Sequence, residues 1–396
     1  APTPLPVLLE EMCPSGVLSN LLVLLGNGSA APTPHSSVVL AEVLYILAVL
    51  TNYSESFTED VLKQDISVLL RQMVLSLDLA HAGPQMAQAN SSVLRVLALV
   101  ASMLPAIRLT ERGCECEEQR AALFRNNPAY LDTLAEAFAP LLLNIYEASM
   151  DPSVQALCVS LLLAFMRTSR DRPEIVERSF EPAQLACFLA NLLLSGVSRS
   201  QTLACLVITS ELLERHPAPY SLLFVRHGVV RAIHQVATRE DLGQQGKAGE
   251  GTLAKAQGAR SRRTSKAKLS SDTAHRVLSV YFASSSHTGE SPQLRSLGKI
   301  ARQLRSSPTA VIAAHREALT SLRELLLSPE GVTTFELMCS GAASALNDFL
   351  FPPKADSAGI GSPTSVSSAA VPEEWRRVCG DRLRLFVECV ATGTGG

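Results

Sequence analysis

Aromatic side chains are scarce in this chain: they make up 5% of its 396 residues, and Trp occurs once, at Trp375. Proteins that read single strands of nucleic acid stack bases on aromatic rings, so this scarcity argues against that class, and no nucleic-acid partner is expected. Charge of one sign is lacking as well. The net charge is −2 from 35 basic and 37 acidic residues, so no global field steers the chain toward nucleic acid or an anionic membrane. Long apolar runs are missing: the most apolar stretch, VVLAEVLYILAVL at 38–50, is short and carries Glu42, whereas a membrane-spanning helix needs about 20 apolar residues. No signal peptide is read at the start, and no membrane partner is expected.

Catalytic signatures are equally thin. The sequence has no CxxC, no HExxH and no Gly-rich phosphate loop. Its eight histidines stand outside any local Ser, Cys and acid signature of a hydrolase. His216, beside Pro217, reads as a helix end, and His227 and His234 read as rim or packing residues. An enzyme built from this chain alone is disfavoured; no catalytic residue, metal site or cofactor is expected. The nine cysteines are odd in number and scattered, with Cys158, Cys187 and Cys205 on apolar helix faces, the usage of a reducing compartment. Cys114-Glu115-Cys116 offers half of a zinc ligand set with no second pair nearby, so 106–118 reads as a polar surface loop.

What the sequence does have is helical periodicity, clearest between residues 129 and 239. Asp151-Pro152-Ser153 starts a helix for a physical reason: Asp accepts from orphan amides, and Pro at the first helical position loses no needed donor. Val154, Cys158, Leu161, Leu162 and Phe165 follow at helical spacing, but Val159 and Leu163 are apolar too, so this helix is expected to be covered on most sides. Pro173 opens a short helix and Pro182 a longer one. The break recurs from Arg172-Pro173 to His216-Pro217, a spacing within the about 40 to 47 residues of armadillo and HEAT repeats. Such units cannot bury their apolar faces singly and must stack. The expected fold is all-α, an armadillo/HEAT-like helical repeat solenoid with disordered loop insertions.

Along the chain, 1–15 is Pro-rich and expected to be disordered, and 16–239 is read as armadillo-like repeats. Within it, Gly26 to Pro34 reads as a small-residue linker and His81 to Asn90 as a break. The stretch 240–268 has almost no bulky apolar residue and is expected to be a disordered basic insertion; Arg260, Arg262, Arg263, Lys266 and Lys268 within 255–268 read first as a solvated loop, with a nuclear-import signal or a phosphate-contacting patch as the alternatives. Helical repeats resume over 269–351, a Ser/Pro/Gly-rich linker covers 352–371, and a terminal helix and tail fill 372–396. One junction repeats internally: VLKQDISVLLRQM matches FVRHGVVRAIHQV, with Val61, Ile66 and Leu70 where Phe224, Val229 and Ile233 stand. Leu337, Gly341 and Leu346 repeat it a third time.

Five strings carry a family resemblance: PLLLNIYEASMDPSVQALCVSLLLAFM, SELLERHPAPYSLLFVRHGVVRAIHQVA, TAHRVLSVYFASS, TTFELMCSGAASALNDFL and DRLRLFVECV. In this order they resemble the armadillo region and following helices of the ubiquitin-fusion-degradation, thyroid-receptor-interactor and KAKTUS group of HECT-type E3 ubiquitin ligases. The resemblance implies a non-catalytic, protein-binding region that holds substrates bearing degrons or ubiquitin in the cytoplasm or nucleus. E2 and ubiquitin would be engaged only through a HECT domain, which, like the family's WWE domain, has no match here. It implies no catalytic cysteine for this chain, and Cys158 and Cys205 are not candidates. The expected substrate contacts are polar residues at the ends of the long helices: Arg167, Arg170, Glu211, Glu214 and Arg215. The alternative is a stand-alone armadillo scaffold or import adaptor; an importin-like adaptor would carry regularly spaced Trp and Asn, and a single Trp counts against it.

Overall fold

Side-chain caps and prolines open the central helices where the sequence calls for them. The computed structural model describes residues 16–30, 34–77, 84–110, 113–196, 198–245, 257–283, 291–305, 312–351 and 373–391. Its elements are α1 (Val17–Ala30), α2 (Pro34–Tyr53), α3 (Glu55–Lys63), α4 (Ser67–Leu75), α5 (Pro84–Met103), β1 (Ile107–Thr110), β2 (Gly113–Cys116), α6 (Glu118–Asn126), α7 (Pro128–Ala148) and α8 (Pro152–Thr168). There follow α9 (Pro173–Ser179), α10 (Pro182–Leu194), α11 (Arg199–Arg215), α12 (Pro217–Arg226), α13 (Val229–Gln245) and α14 (Gln257–Tyr281). The last are α15 (Pro292–Arg305), α16 (Ile312–Leu327), α17 (Thr334–Cys339), α18 (Ala342–Leu350) and α19 (Glu373–Phe386), which runs into a π-helical turn, Val387–Ala391. At α8 the Asp151 carboxylate accepts from the Ser153 amide at 2.7 Å with Pro152 in the first turn. Ser198 and Gln201 close a reciprocal capping box at α11.

Two compact units divide the chain: 1–221 with 232–283, and 222–231 with 284–396. In the first unit α2 packs on α5, α5 on α8, α8 on α11 and α11 on α14, a row of five long helices. A second set lies outside it, with α1 against α2, α7 against α8 and α10 against α11. The fold class is an all-α helical-repeat solenoid. Of the row helices, α8 is buried on most sides, as its wide apolar stripe requires: Val154, Cys158, Val159, Leu161, Leu162, Leu163 and Phe165 are all buried. Their carbonyl ends are tied by a buried arginine. Arg120, on α6, donates to the carbonyls of Thr51 at 2.6 Å and Asn52 at 2.9 Å and to that of Ser102, joining the ends of α2 and α5.

The internal repeat has a backbone signature. Its three aligned junctions place Asp65, Gly228 and Gly341 between a short helix and the next one, and all three adopt positive φ, at 46°, 82° and 72°. Asp65 is the only non-glycine residue to do so among the described residues. A left-handed residue turns the chain sharply between two helices, which is why glycine occupies two of the three. At Gly228 a Cβ would also run into the Phe335 ring, so the second unit needs glycine there for space as well as for φ.

The second unit packs Leu297, Ile300 and Leu304 of α15, Leu319 and Leu322 of α16, and Phe349 of α18 into one core. A buried pair holds residues 222–231 to it: Arg226 Nε lies 3.2 Å from Glu336 Oε1, and Glu336 is fully buried. Arg226 also donates to the carbonyls of Glu330 and Gly331 at 3.0 and 2.9 Å. Glu336 accepts from the Ser291 hydroxyl at 2.6 Å and from the Thr333 amide at 2.9 Å.

Four expectations are corrected. Residues 106–118 are not simply a loop, because β1 and β2 pair antiparallel with Ile107 opposite Cys116. The stretch 240–268 is not structureless throughout: α13 runs to Gln245 and α14 starts at Gln257, carrying the basic run on a helix. Its Gln, Ala, Lys and Arg are good helix formers, so a lack of bulky apolar residues did not mean a lack of helix. The small-residue linker is reduced by α1 reaching Ala30, and the break at 81–90 by α5 starting at Pro84. The segments 1–15 and 352–371, together with most of the tail, lie outside the described residues.

Candidate binding surface

In a stack, the neighbour of a helix end is the end of the next helix one repeat on, and this decides where the five candidate residues go. Arg167 stands in the last turn of α8 and Arg170 just beyond it; Glu211, Glu214 and Arg215 stand in the last turns of α11. Because α8 and α11 are adjacent in the row, the two ends meet. Arg167 Nη1 lies 2.7 Å from Glu211 Oε1, and Arg215 bonds the other Glu211 oxygen. Arg215 also donates to the Met166 carbonyl at 2.9 Å, capping the end of α8.

This seam is mostly internal. The Glu211 side chain is 6% exposed, Arg215 12% and Arg167 16%. Burial pulls the Arg215 guanidinium below its usual range, with Glu211 opposing the shift. Arg167 Nε is buried without a hydrogen-bond partner. The outer pair is different: Arg170 and Glu214 stand 3.8 Å apart with more than half of each side chain in solvent. The structure therefore brings all five together but leaves only Arg170 and Glu214 broadly open to a partner.

Other groups are placed for packing. Burial pushes the Cys158 thiol up to about 12, against a backbone hydrogen bond that favours the thiolate, and the Cys205 thiol higher still, so neither supplies a thiolate at neutral pH. His216 pairs its Nδ1 with Glu177 at 3.1 Å and lies edge-on to Tyr220. Burial, then the Arg226 charge, pulls the His227 pKa down and favours its neutral form. No group of three or more metal-ligating side chains occurs among the described residues, and no described helix is long and apolar enough to cross a membrane.

Sequence reasoning missed a cleft of about 230 Å3 in the first unit, walled by Ile107 and Leu109 of β1 and floored by α8 and α11. The alternation Ile-Arg-Leu-Thr before Glu-Arg-Gly was the available signal for the strand. The row of stacked helices defines the class: an all-α helical-repeat protein.

Among curated proteins, the chain is similar to E3 ubiquitin-protein ligase UPL3 of Arabidopsis thaliana, at 20% identity over 265 residues, 59% of this chain and 14% of that protein. It thus matches about one seventh of the relative's length. No family model and no solved structure matches the chain. The similarity is weak, and it links the chain to ubiquitin ligases in general.

Proposed function

We propose that the chain is the non-catalytic substrate-recognition region of a HECT-type E3 ubiquitin-protein ligase that marks proteins for degradation. The observation that carries the reading is the collinear similarity to a curated E3 ubiquitin-protein ligase. In this reading the armadillo-like repeats over 16–239 hold a protein substrate bearing a degron or ubiquitin along the five-helix row. Arg170 and Glu214 contact it at the rim, while Arg167, Glu211 and Arg215 keep neighbouring repeats in register. A HECT domain on the same polypeptide would take ubiquitin from an E2 on its cysteine and pass it to the substrate, a case of covalent catalysis. The buried thiols of Cys158 and Cys205 take no part in that step. In this reading the protein works in the cytoplasm or nucleus.

Sequencing the transcript past Gly396 tests the reading. An open frame continuing into a HECT domain is expected; an immediate stop codon would hand the chain to the scaffold reading.

A further inference from the structure

The Gln201 side chain opens α11, and the fold uses only one end of it. Its Oε1 closes the capping box, accepting from the Ser198 amide at 3.1 Å and from the Ser198 hydroxyl at 2.7 Å. A backbone amide can only donate, so this contact fixes which end of the carboxamide is oxygen. The other end, Nε2, carries two N–H donors, and among the described residues nothing accepts from them. Gln201 is only 9% exposed, and it lines the cleft beside β1. With its oxygen turned back to the cap, the amide nitrogen is what it offers the cleft. A nearly buried donor left over in this way calls for an acceptor from outside the chain.

The remainder of the cleft is apolar. Ile107 and Leu109, two apart on β1 and therefore on one face, form one wall, and small residues, Ala156 and Ser160 on α8 and Ala204 on α11, form the floor. The hydroxyls of the lining are engaged: Ser160 donates to the Ala156 carbonyl at 3.0 Å, and Ser200 pairs with the Ser198 hydroxyl at 3.1 Å. Gln201 is thus the side-chain donor left uncommitted there.

Neither sign of charge suits this arrangement. A cation would meet the Gln201 N–H groups and the positive end of α11. An ionised carboxylate would find no cationic side chain in the lining. The Ala106 amide on the cleft wall already donates to the Glu117 carboxylate at 3.2 Å, which Arg120 approaches only to 3.8 Å, so that rim carries negative charge. A neutral carbonyl oxygen on an apolar body meets every condition. At about 230 Å3 the space lies below the about 300 to 1,000 Å3 of pockets that enclose drug-sized ligands, so it holds about one residue. Further length must lie on the surface of the row, where Ser160 and Ser200 are exposed, and a protein segment supplies that length.

We propose that this cleft docks one apolar residue of an uncharged segment of a partner protein: the side chain lies between the β1 wall and the small residues of the row, and the main-chain carbonyl accepts from the Gln201 amide. The segment's role as a substrate's recognition element rests on the ligase reading; its binding does not.

The test is fluorescence anisotropy on the chain with three labelled, end-blocked peptide pools. Each peptide is about eight residues long, enough to cross two neighbouring row helices, with Leu or Val at the centre. The flanks are Ser, Thr and Asn in one pool, Asp and Glu in the second, Lys and Arg in the third. The neutral pool is expected to bind about tenfold more tightly than either charged pool, with little change as salt is raised. Gln201→Glu keeps α11 capped, because Glu at this position accepts from the Ser198 amide as Gln does, but it replaces the donor by an acceptor. It lowers affinity for the neutral pool about tenfold. Ser160→Trp removes binding by filling the cleft; the parent hydroxyl is exposed and bonds only the Ala156 carbonyl of its own helix. Equal binding of the three pools, no binding of the neutral pool at about 1 mM, or unchanged binding by Gln201→Glu overturns the proposal. N-acetyl-leucinamide alone is expected to bind at least about tenfold more weakly than the neutral pool; equal affinity would make a small amide the occupant and overturn the proposal as well. Loss of peptide binding with an intact ligase would sink this site alone, and absence of ligase activity leaves the peptide result standing.

Discussion

Replacing Glu211 by Ala would leave two guanidinium groups facing each other across the junction of α8 and α11. Glu211 holds Arg167 at 2.7 Å and Arg215 through its second oxygen, and its side chain is 6% exposed. Each charge-assisted bond is worth about 1.5 to 3 kcal/mol. Breaking one side of a buried pair costs about 3 to 5 kcal/mol, because the remaining charge stays uncompensated. Arg215 keeps its bond to the Met166 carbonyl, and both arginines retain some contact with solvent, so the expected loss lies at the low end, about 3 kcal/mol. The assay is urea unfolding by circular dichroism, run also on Arg215→Met and on the double variant. A coupling energy of about 1.5 kcal/mol or more is expected between the two sites. If Glu211→Ala costs less than about 1 kcal/mol and the cycle shows no coupling, the seam is not structural, and Glu211 returns to the surface as a contact residue.

In the second unit, Gly228→Ala meets both a positive φ and the Phe335 ring, and is expected to cost about 2 kcal/mol or more by urea melt; a neutral result would refute the close approach. Asp65→Gly should be neutral or stabilise by up to about 1 kcal/mol, since it relieves the left-handed strain, and a clear loss would point to an unrecognised role for the carboxylate, which accepts from Ser67. Acid sensitivity follows from Glu336: burial alone would raise its pKa, but Arg226, Ser291 and the Thr333 amide more than offset this and hold it below the usual range. Its folded pKa is depressed, so its stabilisation is present above the unfolded value of about 4.3 and is lost as pH falls through the lower, folded value. Comparing urea midpoints at neutral and acid pH, Glu336→Gln should be less stable near pH 7 and show less acid loss; equal loss in both forms would remove Glu336 as the cause. A thiol titration should label exposed Cys339 quickly and Cys158 and Cys205 only on unfolding, so early labelling of either buried thiol would contradict their burial.

Local signals carried much of the fold. Asp151, Pro152, Ser198 and the recurring X-Pro breaks set helix starts through hydrogen bonds within a few residues, so they can be read without the rest of the chain. The repeated junction was readable at a finer level, since its three aligned positions share a left-handed backbone. The ion-pair seam was not. Arg167 and Glu211 each look like solvated ends of separate helices, and only the stacking of α8 on α11 converts them into a buried pair. Arg226 and Glu336 are more than 100 residues apart, with no local trace of their pairing. The hairpin was hidden by its shortness, and α14 by a composition that is polar yet helix-forming.

The division of labour between binding and chemistry is tested most directly by a thioester assay. The isolated chain and the intact polypeptide are each incubated with E1, E2 and ubiquitin and run on gels with and without reductant. The account predicts a reducible ubiquitin adduct on the intact polypeptide and none on the isolated chain, because in the proposed reading the ubiquitin-accepting cysteine belongs to the HECT domain. A reducible adduct on the isolated chain, or none on the intact polypeptide, would contradict it.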